Sequence, residues 1–140
     1  MKRIILAVIA LGLASLACGT SAPVAPSDRC IPASLAQMEL IRAGIKDIEQ
    51  RNNVNNGFAV LSNDQKGMWF VAAEITGPGI LKNTIGLWAI PGELDTPNTN
   101  VLSVDGFAGS FSSWPDGTKT DAKLTMFEDG AQEALSCAKH

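Results

Sequence analysis

Three cysteines are the residues of this 140-residue sequence best suited to covalent chemistry: Cys18, Cys30 and Cys137. A catalytic thiolate needs a basic partner within hydrogen-bond reach, and a catalytic serine needs the same. The sequence has no tyrosine and one histidine, His140, at its last position, where we expect little order. Nucleophilic catalysis is therefore not expected, and covalent modification and disulfide pairing explain the cysteines better.

Acid–base chemistry by carboxylates is the remaining catalytic option. Glu74 interrupts the apolar run of residues 68–75, and a pair of carboxylates can cleave glycosides. The sequence fixes no second carboxylate near Glu74, so an outward or edge position on a strand is the preferred interpretation. Residues 116–121 alternate oxygen-bearing side chains, but Lys119 interrupts them and the calcium-loop pattern is missing. This segment is interpreted as a solvated turn, and no metal, phosphate loop or other cofactor is predicted.

Two tryptophans offer a third kind of site, a surface for stacking. Trp69 and Trp88 fall on neighbouring predicted strands, and with Glu74 they form the candidate surface for a sugar or a protein partner. In so small a core, tryptophans more often serve in packing, and packing is the preferred interpretation. The two interpretations differ in how exposed the indole rings should be.

The first residues carry the pattern of an export signal. A basic start at residues 1–3 precedes eleven apolar residues at 4–14, which are too few to span a bilayer, since a span needs about 20. The following segment, Ser-Leu-Ala-Cys-Gly at 15–19, resembles the lipobox of bacterial lipoproteins. The resemblance implies that a signal peptide, residues 1–17, is removed and that Cys18 carries acyl chains such as palmitate.

The uncharged, proline-containing segment after Cys18 supports an anchor. Residues 18–27 are predicted to be a flexible tether between the lipid and a folded domain. The protein is then expected on a bacterial cell membrane, or on the outer membrane where the cell has one, with its domain on the extracytoplasmic side. Cleavage after Ala17 or Ala22 without lipidation would instead give a secreted protein, and a retained signal anchor is the third alternative.

The other two cysteines are expected to pair. With Cys18 lipidated, Cys30 and Cys137 remain in an oxidising compartment and lie near the two ends of the domain. A disulfide between them is predicted, and two buried free thiols are the alternative.

Residues 28–140 are predicted to form a single small α+β domain that begins with a helix. Ser34 and Gln37 match a capping box at the start of this helix. Its apolar stripe consists of Leu35, Met38, Ile41, Ile45 and Ile48. Asparagines before Gly57 are expected to end it.

Three strands and two further helices follow in this prediction. The strands cover residues 58–62, 68–75 and 85–90, and their short connections favour an antiparallel meander. The next helix is predicted to begin at Ser103, and the last one to lie within residues 124–138. Together the helices are expected to cover one face of the sheet.

Charge and hydropathy exclude some classes of function. The sequence has 11 basic and 14 acidic residues, and loss of Lys2 and Arg3 with the signal leaves 9 against 14, a net charge of −5. Such a domain has no basic face for nucleic acid, and only lipid would hold it at an anionic membrane. The mean hydropathy of +0.13 owes its excess to the first 17 residues.

These features predict a non-catalytic binding module of the cell envelope, acting as an accessory or inhibitory protein. Its expected partners are the membrane, through the lipid, and an envelope protein or glycan. A carboxylate-dependent cell-wall hydrolase is one alternative. A phage- or plasmid-encoded exclusion or immunity lipoprotein is another.

Overall fold

The computed structural model describes residues 27–140. The predicted signal peptide, the predicted lipidation site Cys18 and all of the predicted tether except Ser27 lie outside the described residues.

A five-stranded antiparallel sheet with the order β1-β2-β3-β4-β5 forms the centre of the molecule. The strands are β1 (Ile31–Pro32), β2 (Asn53–Leu61), β3 (Met68–Thr76), β4 (Ile85–Pro91) and β5 (Leu102–Ser103). Each strand pairs with its neighbours in the sequence, which confirms the antiparallel meander for the three long strands. The predicted number of strands is wrong, because β1 and β5 add a two-residue edge on each side.

Both faces of the sheet are buried. Along β3, Val71 and Ile75 pack into one apolar cluster, whereas Phe70 and Ala72 pack into a second cluster on the opposite face. All residues of β4 except the last are buried. The expectation that helices cover one face is therefore wrong. Continuous apolar runs, rather than alternating ones, are typical of strands covered on both sides.

The first helix, α1 (Leu35–Ala43), packs on one face of the sheet. The Ser34 and Gln37 capping box is present, but the predicted first helix is wrong in position and length, because β1 precedes α1 and α1 ends before Ile45. The indole of Trp114 donates to the carbonyl of Ile41 at 3.3 Å and fills the space where a side chain at Gly44 would lie. The helix thus ends at its C-cap Gly44, against which this distant indole packs, and Ile48 falls in a separate 3-10 turn (Ile48–Gln50).

Two short helices complete the fold, α2 (Gly106–Phe111) and α3 (Ala131–Cys137). Asp105 caps α2, whereas the predicted cap Ser103 belongs to β5. The last helix lies within the predicted residues 124–138, and the break that the sequence predicts near residues 128–130 is present, because Gly130 at φ 87° immediately precedes α3. A second 3-10 turn covers Gly117–Lys119. Within residues 27–140, no helix has the length and apolar character needed to cross a membrane.

A disulfide joins Cys30 to Cys137, as the sequence predicts. Beside it, the guanidinium of Arg29 donates to both carboxylate oxygens of Asp129, at 3.1 and 2.8 Å, and to Glu133 at 2.6 Å. The ion pair lowers the pKa of Asp129. Ser27 donates to the other oxygen of Glu133. These contacts form a clamp of Ser27, Arg29, Asp129 and Glu133 that fastens the start of the described chain to α3.

Candidate functional site

An open groove of about 980 Å³ lies where β3 ends, β4 and α2 begin, and α3 ends. This volume is within the range of small-molecule and cofactor sites. The polar side chains that line the groove come from separate parts of the chain. They are Asn56, Glu74, Asn83, Asp105, Lys139 and His140. The groove is the candidate functional site of the domain.

A β-bulge shapes the wall formed by β2. The pairing of β2 with β3 shifts its register between Asn55 and Phe58, which leaves Asn56 and Gly57 between the paired residues. Asn56 adopts a left-handed backbone at φ 50°, a conformation that asparagine tolerates better than most residues. Its amide donates to Glu74 Oε2 at 3.3 Å. The bulge therefore places an amide and a carboxylate side by side, and bulges often lie beside functional sites.

The β3–β4 loop and the residue before α2 supply two further polar side chains of the groove, Asn83 and Asp105. Asn83, at φ 62°, comes two residues before Ile85, the first residue of β4, which pairs with Glu74. Asp105 lies at the α2 end of the groove. Its Oδ1 accepts from the backbone amides of Ala108 at 2.8 Å and Leu87 at 3.1 Å. This carboxylate therefore caps α2 and ties it to β4.

Apolar groups complete the groove. Phe58, Ile85 and Leu135 belong to the apolar cluster beneath it or pack against that cluster. Phe107 and Met126 also line the groove, yet they are 53% and 36% exposed. A groove lined by a half-exposed phenylalanine, by amides and by carboxylates offers a ligand both apolar contact and hydrogen bonds.

The structure separates the three residues of the predicted ligand surface. Glu74 lines the groove, but Trp69 and Trp88 belong to the cluster on the other face of the sheet. Trp88 is fully buried and donates to Ser112 Oγ at 3.3 Å, while Trp69 is half-buried and donates to the carbonyl of Gly92. A stacking surface that includes Trp88 is therefore wrong. Because side chains alternate along β4, Trp88 lies on the face of the sheet opposite the groove.

Sequence reasoning missed Asn56, Asn83, Asp105 and Phe107 as site residues. The Asn56-Gly57 pair is a turn or bulge signal, and Asp105 is a helix-capping residue type directly before Gly106. These signals could have identified the local structure. The convergence of the four residues depends on strand register, which the sequence alone does not fix. Among residues 27–140, no group of three or more His, Cys, Asp or Glu side chains is placed to hold a metal ion.

Asp105 gives a pH-dependent prediction. Burial raises the pKa of Asp105, although hydrogen bonds from backbone amides oppose the rise. The folded state then holds this proton more tightly than the unfolded chain. The stability that Asp105 contributes is therefore greatest below its unfolded pKa of about 3.9 and declines as the pH rises through the folded value. Asp105→Asn, which keeps a capping oxygen without the charge, is expected to be more stable than wild type at pH 7.

The matched variant is Asp105→Ala, which removes the cap and is expected to lower the free energy of unfolding by about 1–3 kcal/mol. Urea unfolding of the three proteins between pH 3 and 7 measures both effects. The advantage of Asp105→Asn should shrink towards pH 3. A difference in the free energy of unfolding that does not depend on pH, or equal losses of stability in both variants, would contradict the raised pKa of Asp105.

No family model, no curated protein and no solved structure matches this chain.

Proposed function

We propose that this protein is a bacterial cell-envelope lipoprotein, anchored through Cys18, whose domain binds a partner without catalysing a reaction. The observation that carries the proposal is the groove, which is lined by half-exposed Phe107 and by polar side chains such as Asn56 and Glu74. The lipobox-like segment at residues 15–19 supplies the anchor. An anchored accessory or inhibitory module would need such a recognition site and no reactive group.

The carboxylates of the groove favour binding over hydrolysis. A glycoside hydrolase uses one carboxylic acid to donate a proton and a second carboxylate as base or nucleophile. Asp105 and Glu74 both line the groove, but Asp105 Oδ1 accepts two backbone hydrogen bonds that fix α2 on β4. Because Asp105 has this structural role, it is not free to act as the second carboxylate that hydrolysis by Glu74 would need. This geometry supports a binding role for Glu74.

The position of the clamp supports display of the groove away from a membrane. Arg29 donates to the carbonyl of Leu61 at the end of β2, whereas the groove begins at the bulge near Asn56. Five residues of extended strand separate these points by roughly 15 Å. A tether that joins the domain at Ser27 would therefore approach at the clamp and leave the groove free for a partner.

Anchoring is tested by changing the acylated residue. We expect detergent-extracted wild-type protein to have the intact mass of a chain that begins at Cys18 and carries acyl groups. Cys18→Ala should be released as a species without lipid, because two or three acyl chains supply the whole anchor in this proposal. Cell fractionation and intact-mass spectrometry measure both results.

Thr20→Ala is the control, since it changes a nearby residue and should leave the protein acylated and in the membrane fraction. Unlipidated wild-type protein that begins at Cys18 or Pro23 would overturn the proposal that the protein is anchored through Cys18.

A further inference from the structure

We propose that the groove binds a carbohydrate chain of uncharged sugars, such as N-acetylated amino sugars. Phe107 would stack on the apolar face of one sugar ring, while Asn56, Glu74 and Asn83 would hydrogen-bond to its hydroxyl groups. This inference rests on the proposed function, because it names the ligand class of the same groove.

The polar side chains match the chemistry of sugar hydroxyls. Each hydroxyl both donates and accepts a hydrogen bond, so its site must offer groups of both kinds. The amides of Asn56 and Asn83 donate and accept, and the carboxylate of Glu74 accepts. The bond from Asn56 to Glu74 uses one of the two amide hydrogens and leaves the other available. The lining of the groove therefore presents both donors and acceptors, and those of Asn56 and Glu74 are in contact.

Phe107 supplies the apolar half of the recognition. It lies in the first turn of α2, lines the groove and is 53% exposed. One face of a pyranose ring carries mostly C–H groups, and burying such a face on an aromatic ring removes apolar surface of both partners from water. Met126, on the same groove, is 36% exposed and extends the apolar surface. Polar groups beside an aromatic surface suit a ligand that is polar at its edges and apolar on its faces.

The charges of the groove argue against binding of charged polymers. Glu74 and Asp105 line the groove with a single lysine, Lys139, and residues 18–140 carry a net charge of −5. A polyanion such as nucleic acid would be repelled. A lysine-rich peptide would be repelled by Lys139. It would also find Asp105 already engaged, because this carboxylate accepts two backbone hydrogen bonds. An uncharged glycan, including one of N-acetylated amino sugars, avoids both conflicts.

The binding test uses the full-length lipoprotein in detergent micelles. The probes are a soluble β-1,4-linked N-acetylglucosamine hexamer, for calorimetry, and purified cell-wall sacculi, for co-sedimentation. We expect wild-type protein to bind both, and Phe107→Ala to weaken binding of the hexamer at least tenfold. Asn83→Ala should weaken it several-fold. Thermal unfolding of Phe107→Ala should match wild type, because Phe107 is exposed at the groove. Asn83→Ala should unfold at a slightly lower temperature, because alanine adopts the left-handed backbone of Asn83 (φ 62°) less readily, so binding is compared well below both melting temperatures.

Phe127→Ala is the matched control. Phe127 is 82% exposed and is absent from the lining of the groove, so its removal deletes an exposed phenylalanine of the same size elsewhere. Binding by Phe127→Ala should stay within twofold of wild type. Equal losses in Phe107→Ala and Phe127→Ala would overturn the proposal, because the effect would not belong to the groove.

Other outcomes separate this inference from the proposed function. If a correctly acylated wild-type protein binds neither probe, the glycan inference fails and the anchored module stands. Groove-dependent binding of a lysine-rich peptide in place of the sugars also overturns the glycan inference. Release of soluble sugar fragments from sacculi by wild type, abolished in Glu74→Gln, would overturn the non-catalytic role and leave glycan recognition supported.

Discussion

Removal of the Cys30–Cys137 disulfide is expected to lower the free energy of unfolding by about 2–5 kcal/mol. The bond joins residues 107 positions apart, so it restricts nearly the whole unfolded domain. The loop-entropy model gives about 4.7 kcal/mol for a loop of about 100 residues, which is close to the whole stability of many small domains. Loss of the bond should therefore leave a substantial unfolded fraction at 37 °C.

The double variant Cys30→Ala/Cys137→Ala is the sharpest form of this test. Alanine avoids placing a polar group at Cys137, which is buried. Urea unfolding followed by circular dichroism measures the difference, and reduction of wild type should shift the midpoint in the same direction. Cys18→Ala is the control, since that residue lies outside the domain and should not alter unfolding. A double variant within 0.5 kcal/mol of wild type would mean that the bond does not constrain the unfolded chain.

The same bond supports the groove. Pro32 follows Cys30 by two residues and Ala138 directly follows Cys137, and both line the groove. Near its new melting temperature, the double variant should therefore lose groove binding before it loses the central strands. Comparison of binding with circular dichroism over a temperature series shows whether the two events separate.

The central meander could be predicted from the sequence because its signals are local. Apolar runs long enough to form strands alternate with short turn-forming segments, and short connections permit only antiparallel neighbours. The edges could not be predicted in this way. β1 and β5 contain two residues each, too few to show a periodicity, and they exist because β2 and β4 offer them hydrogen bonds.

The errors in the helices have tertiary causes. Ile45 and Ile48 continue the apolar spacing of α1, but the indole of Trp114 donates to Ile41 and occupies the space at Gly44. Beyond the helix, Ile45 instead forms a bridge with Ser112. Gly44 is a local signal for the end of the helix, whereas the contacts that this end makes join residues about 70 positions apart, and no local propensity encodes those contacts.

The groove illustrates the same limit for function. Glu74 could be singled out because a carboxylate inside an apolar strand is conspicuous. Its neighbours come from the bulge in β2, from the β3–β4 loop and from the cap of α2. Only the register that pairs Glu74 with Ile85 brings these segments to one end of the sheet. A prediction of the site therefore required the register of the sheet.

Truncation of Trp88 is the second large effect that we expect. Trp88 is fully buried in the centre of β4, it pairs across the sheet with Val71, and its ring lies over Gly86. Trp88→Ala should lower the free energy of unfolding by about 3–5 kcal/mol, because the lost apolar burial and the remaining cavity add. Ser112 would also lose the indole donor that now reaches its hydroxyl.

Trp88→Phe distinguishes a packing role from a binding role. This variant keeps an aromatic ring in the core, so we expect a smaller loss, of about 1–3 kcal/mol, and unchanged affinity for the sugar hexamer below the melting temperature. Urea unfolding and calorimetry measure the two quantities on the same protein. In a Trp69→Phe/Trp114→Phe background, the remaining indole should also resist quenching by acrylamide. If Trp88→Ala instead folded with wild-type stability and lost only ligand affinity, the ring would belong to a binding surface. The assignment of Trp88 to the core would then be wrong, and the groove would no longer account for recognition.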